Sequence, residues 1–400
     1  MAYSTINKSS NFQNNVQYTG NNTGQSITGV GFQPDIVWNK SRSNSESYNI
    51  WDAVRGIQSY LTTNTGDAVS AGGSTGLSSY DADGWTMGSL DSMNDNAVKF
   101  IAWCFKMGTT SGIAGSPSIT PTAYSFNATA GQSIIQWTGT EAVGTLPHGL
   151  GVAPELILVK TLASGSWYIY HKSLGADEAN FLNDSGVPGV STNYWNDTAP
   201  DANLFTVGVS SGTNDSGQSM MAYCFSGANT KMFKAGKYIG NGNADGTFVY
   251  TGFRPSLIFF KRTDATSNWR SINNKDGFNG DIGLLHPNLS DQESAGDNAI
   301  ILSNGFKFRN NSSDWNGNQG EYVYFAWGQP IVSNSGVPVP AWSGGIPTCL
   351  KQENILGMVK VIQMVHIFIQ VLNLRSFSLR EQIQLLIGDV LIIKMVLMET

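Results

Sequence analysis

The apolar positions of this chain fall in short runs of four to seven residues, rich in Ile, Val, Phe, Trp and Tyr and set between Gly, Asn, Asp and Ser. Runs of that length, bounded by turn formers, predict strands and hairpins. Over the first 345 residues no helical period is sustained for three turns. About seven short strands per hundred residues fits two-sheet sandwiches.

The pattern recurs. Gly31-Phe-Gln-Pro34-Asp-Ile-Val-Trp-Asn-Lys40 matches Gly151-Val-Ala-Pro154-Glu-Leu-Ile-Leu-Val-Lys160 and Gly252-Phe-Arg-Pro255-Ser-Leu-Ile-Phe-Phe-Lys261. An aromatic lies 51 residues past each proline, at Trp85, Phe205 and Phe306. Each stretch closes on an aromatic-rich run, Phe100–Phe105, Met220–Phe225 and Tyr324–Trp327, and opens on Tyr18-Thr-Gly20, Trp137-Thr-Gly139 or Tyr238-Ile-Gly240. A unit of about a hundred residues buries only about two thirds of its unfolded surface, so the repeated aromatics are expected to form its core. The expectation is an all-β chain of three tandem β-sandwich domains, jelly-roll or lectin-like, at 1–110, 123–233 and 234–330. Gly, Ser, Thr and Pro mark linkers at 111–122 and 331–349.

Past about residue 350 the composition turns to Ile, Leu, Val, Met and Gln, interrupted by Lys360, Gln363, His366 and Gln370 too often to span a bilayer. In a shifted reading frame, Gln363-Met364-Val365, Lys394-Met395-Val396 and Leu397-Met398-Glu399 can encode Asp-Gly, Asp-Gly and Asn-Gly. Those are Asp245-Gly246, Asp276-Gly277 and Asn279-Gly280, all at one offset of 119 residues. Residues 350–400 therefore read as the out-of-frame start of a fourth unit, a non-native segment.

Only 13% of the residues are charged, against about 25% in ordinary globular proteins, and Asn and Ser fill the gap. The net charge of −6 is spread without clusters of Lys or Arg, which argues against nucleic-acid binding. With so few charges, steering of a partner is weak, and contact is expected to rest on short hydrogen bonds and stacked rings. Met1-Ala-Tyr-Ser-Thr-Ile-Asn-Lys lacks the basic and apolar stretches of a secretory signal, so synthesis and retention in a cytoplasm are expected. Three cysteines there predict no disulfide framework.

Candidate chemistry is sparse. Tyr80-Asp-Ala-Asp83-Gly84-Trp85 resembles a calcium loop, but the corresponding stretches Asp201–Phe205 and Leu302–Phe306 keep the turn and aromatic rather than the carboxylates, so a hairpin turn is the reading. Cys104 and Cys224 recur inside apolar runs, where a third copy has Gly328, and read as buried small residues. His148, His171 and His286 do not recur and show no ligand spacing. No cofactor, metal or catalytic residue is expected, and the chain reads as no enzyme. Trp51, Trp167 and Trp269 read as core. Trp195 beside Asp197, and Trp315 beside Asp314, belong to one unit each and lie in polar loops. They are the candidates for ligand binding, since an aromatic face next to carboxylates and amides suits a sugar; the competing reading is a Trp folded under its own loop.

Taken with the opening Met1–Lys8, the motifs Gly31–Lys40, Trp51-Asp-Ala-Val-Arg-Gly56, Tyr80–Gly88 and Phe100–Lys106 make the chain resemble repeat-bearing structural proteins of tailed bacteriophages, common in marine phages, whose repeated domain has no assigned function. The resemblance is strongest over residues 1–110. It implies a virion component made in the host cytoplasm, a tail-fibre or adhesin-like protein presenting its domains to a host surface. The partners it implies are other virion proteins and host surface polysaccharide, with no nucleic acid and no membrane, and homo-oligomers are common among such proteins. A decoration protein that binds only other particle proteins, and a polysaccharide depolymerase, are the alternatives.

Overall fold

The computed structural model describes residue 4 and residues 6–275, 283–296 and 298–331. All of them belong to one compact unit, Met1–Ala341; a second unit, Trp342–Thr400, lies outside the described residues, and with it the segment 350–400 expected to be out of frame. Of the linker expected at 331–349, only Ile331 is described.

The described chain is all-β, with helices of only three or four residues. The first stretch supplies β1 (Gln13–Thr19), β2 (Gln25–Ile27), β3 (Ile36–Ser41), β4 (Asn49–Asp52), β5 (Ser59–Thr62), β6 (Ser70–Ala71), β7 (Leu77–Asp81), β8 (Gly84–Met87) and β9 (Lys99–Phe105). The second supplies β10 (Ala123–Asn127), β11 (Gln132–Thr138), β12 (Gly144–Pro147), β13 (Leu156–Thr161), β14 (Tyr168–His171), β15 (Gly175–Phe181), β16 (Gly189–Val190), β17 (Leu204–Val207) and β18 (Ser219–Phe225). The third supplies β19 (Phe233–Ile239), β20 (Phe248–Tyr250), β21 (Phe253–Arg262), β22 (Arg270–Asn273), β23 (Ala299–Leu302), β24 (Gly305–Phe308) and β25 (Glu321–Pro330).

Each stretch builds one large antiparallel sheet around the same strand order: β1-β9-β3-β4, β11-β18-β13-β14 and β19-β25-β21-β22. The register corresponds too. Ile36 and Trp38 face Phe105 and Trp103, Leu156 and Leu158 face Phe225 and Tyr223, and Leu257 and Phe259 face Trp327 and Phe325. A small sheet lies over each: β2-β8-β7, β12-β17 and β20-β24-β23.

Side chains alternate across a strand, so each large sheet has two apolar faces to cover. On one face Val37, Ala102 and Cys104 pack with Trp85 of the small sheet; Ile157, Ala222 and Cys224 pack with Phe205; Ile258 and Ala326 pack with Phe306. On the other face, Trp38, Trp103, Leu158, Tyr223, Phe259, Phe325 and Trp327 of all three stretches meet in one shared cluster. The aromatics expected to form a core within each unit thus divide between three outer layers and one common centre. Burial on both faces is why the central strands read as continuous apolar runs rather than alternating ones.

Candidate functional site

Trp195 is buried at 1% exposure, its Nε1–H donating to the Glu178 carbonyl at 2.9 Å and its ring edge-on to Tyr170. Trp315 packs on Phe260 and Phe308, with the Arg270 guanidinium over its ring at 5.8 Å. Both indoles fill outer layers, in two different clusters, so neither presents a ring face to a ligand. Asp197 is exposed with φ of 47°, and Asp314 pairs with Arg270 at 2.8 Å and accepts from Ser267. The structure does not bring the four together.

Most of the recurring letters serve the joints between stretches, Lys40 and Lys261 among them, whereas Lys160 is held by carbonyls of its own stretch. The amines of Lys40, Lys160 and Lys261 are buried among carbonyls: Lys40 Nζ donates to Ser41 and Ser290, Lys160 to Thr161 and Ala163, and Lys261 to Asp184 and Gly186. Burial pushes each of them down to about 8. The residue after each repeated proline reaches the next stretch. The Asp35 carboxylate accepts from Ser125 Oγ, and the Glu155 carboxylate accepts the Gly227 and Ala235 N–H groups. Ser256 Oγ donates to Gln13, which closes the ring back on the first stretch.

Asp52, His171 and Asn273 also occupy one register position, opposite Ile36, Leu156 and Leu257. Within Trp51–Gly56, Asp52 pairs with Arg55 at 2.6 Å and accepts from Tyr223 of the second stretch at 2.8 Å, all buried. His171 takes the Ser173 N–H at Nδ1 and donates from Nε2 to the Tyr324 carbonyl of the third stretch. Burial drives it down to about 4. Cys104 and Cys224 are buried free thiols whose acidity burial suppresses, Cys224 being pushed up to about 12. Asp83, within the two-residue hairpin turn Ala82-Asp83, accepts the N–H groups of Gly29 and Gly31 at its carboxylate.

A second recurrent element escaped the sequence comparison. Asn94, Asn214 and Asn316 are wholly buried, and each side chain holds the turn after the opening glycine of its stretch. Asn214 Oδ1 accepts the Thr140 N–H and its Nδ2 donates to Ala142; Asn316 does the same for Asn241 and Asn243. Asparagine is so common here that its recurrence gave no signal, although it stands six residues before Phe100, Met220 and Tyr322 alike.

A cleft of about 470 Å³ opens where β15 and the loop after it meet β19 and β25. Its walls carry Glu178, Lys237, Asp264 and Glu321, with the half-exposed aliphatics Val187 and Ile239 at the mouth. Asp264 is engaged by Arg262. The side chains of Glu178, Lys237 and Glu321 have no hydrogen-bond or ion-pair partner among the described residues. Partial burial and the neighbouring carboxylates of Asp177 and Glu321 raise Glu178 above the ordinary glutamate range.

The corresponding register positions in the other stretches differ. Lys237 stands where the second stretch has Gln136 and the first Gln17. The cross-strand pair Ile239–Glu321 stands for Thr138–Ser219 and Thr19–Lys99. Glu178, paired with Val190, stands for Ser59, paired with Ala71. The charged set is therefore peculiar to this seam. Among the described residues no cluster of three potential metal ligands occurs, and no helix is long and apolar enough to cross a membrane.

No match is found among curated proteins. The sequence matches the domain of unknown function DUF7483 over residues 8–330, which takes in all three large sheets and both sides of the cleft. The chain belongs to the DUF7483 family.

Proposed function

We propose that the chain is a non-enzymatic structural protein of a tailed-phage particle, fibre- or adhesin-like, which holds three tandem sandwich modules as one rigid body and offers what differs among them to a host-surface polysaccharide. The modules are copies of one lectin-like unit. The observation that carries this reading is the ring of buried joints: charged and polar groups at repeated positions, such as Asp52–Tyr223, His171–Tyr324 and Ser256–Gln13, link each stretch to the next. Groups so engaged are unavailable for chemistry and well suited to resisting separation of the sheets. A surface of neutral hydrogen-bonding residues, at 13% charge, fits contact with hydroxyl-rich polymers at short range.

The test is binding of the purified full chain to host cells and their isolated polysaccharide, against binding to particles lacking the protein. An adhesin binds the cells. Binding to the depleted particles alone makes it a decoration protein, and release of reducing ends from the polysaccharide makes it a depolymerase; either outcome overturns the proposal.

A further inference from the structure

The cleft between β15 and β19–β25 combines three features that no joint needs. It is large enough for one or two sugar units, since small-ligand pockets run from about 300 to 1,000 Å³. Its aliphatic mouth, Val187 and Ile239, can take the C–H face of a pyranose. Its polar groups are in excess: Glu178 lies in the field of Glu321 with no cation ion-paired to either, whereas the joint carboxylates of Asp35, Asp52, Glu155 and Glu293 each have hydrogen-bond donors or a basic partner.

The half-buried carboxylate of Glu178 beside the exposed one of Glu321, neither of them ion-paired, favours a ligand that brings an N–H cation, because a charge-assisted N–H···O bond is about twice as strong as a neutral one. The same field repels uronic or sialic acids. Lys237 is then left to donate to a hydroxyl or ring oxygen. The two other seams hold together with Gln136 or Gln17, and with Ser219 or Lys99, at the corresponding positions, so structure alone does not account for the charged set.

We infer that this cleft is a binding site for a saccharide unit bearing a protonated amine, with Glu178 and Glu321 receiving the ammonium and Lys237 a hydroxyl. The inference rests on the adhesin reading for its biological sense but is tested apart from it. The full chain is titrated near neutral pH with glucosamine, N-acetylglucosamine, glucose and glucuronate, binding being followed by calorimetry and by NMR shifts. Glucosamine is expected to bind at least about tenfold more tightly than glucose or its N-acetyl form, with glucuronate weakest. Glu178→Gln and Glu321→Gln are each expected to remove most of that preference at an unchanged unfolding midpoint. Equal affinity for glucose, preference intact in both variants, or no binding of any of the four overturns the site. Cell binding by a chain that shows no glucosamine preference rejects the site and keeps the adhesin reading; glucosamine binding by a chain that ignores host cells does the reverse.

Discussion

Protonating His171 at Nδ1 would set two N–H groups against each other, because that nitrogen already accepts from Ser173 while Nε2–H is committed to the Tyr324 carbonyl. His148 is held the same way, between the Leu150 N–H and the Asp201 carbonyl, and burial lowers it as well to about 4. With both folded values below the unfolded one, the unfolded chain binds more protons between about pH 4 and 6.5, so stability is lost as pH falls through that window. Each ring contributes on the order of 3 kcal/mol to the loss. Urea midpoints measured between neutral and acid pH should fall steeply for the chain and less for His171→Gln; parallel curves would show that His171 is not the acid-labile joint. Asn316→Ala, which strips the Asn241 and Thr247 turn of its acceptor, should cost about 3 kcal/mol in the same assay, and a cost under about 1 would show that water replaces the amide.

Strand length, turn chemistry and register belong to the element scale, and here glycine carries two separate demands. A Cβ on Gly139 would sit 1.9 Å from the Asp215 carbonyl oxygen, as one on Gly20 or Gly240 would sit 2.1 Å from Asp95 or Gly317. Gly151 has open space around it but a φ of +69°. Gly151→Ala should therefore cost about 1 kcal/mol, the left-handed penalty alone. Gly139→Ala must displace backbone and should cost about 3 kcal/mol or more. Equal unfolding midpoints for the two variants would mean that the close approach is not what requires glycine at the opening turn. The turn itself was readable from Trp137-Thr-Gly139. The asparagine beneath it was not, because hydrogen-bond partners 74 residues apart leave no local pattern.

At the scale of the whole molecule, Trp327 touches Phe105, Phe225, Phe233, Phe259 and Phe325, rings drawn from all three stretches. Trp327→Ala should cost about 3–5 kcal/mol and speed hydrogen exchange in β3, β13 and β21 together. Trp85→Ala, confined to one outer layer, should speed exchange chiefly in the first stretch. Exchange that responds one stretch at a time in both variants would mean that the common centre does not couple the sheets. Strand class, hairpin turns, the repeated prolines and lysines and the burial of Trp51, Trp167 and Trp269 could all be read from the chain alone, since periodicity and turn chemistry act within a few residues. Even there the sequence paired Trp51 with Trp167 and Trp269, whereas Tyr48 is their counterpart: the N–H groups of Tyr48, Trp167 and Trp269 are held by Asn64, Asn183 and Asn288. Only the tertiary structure decided that the inner faces share one centre, that the rings of Trp195 and Trp315 are packed inside outer layers, and that Glu178, Lys237 and Glu321 line one cleft across a seam. Each of those depends on which faces of distant strands are brought together, and a continuous apolar run states that both faces of a strand are covered without stating by what.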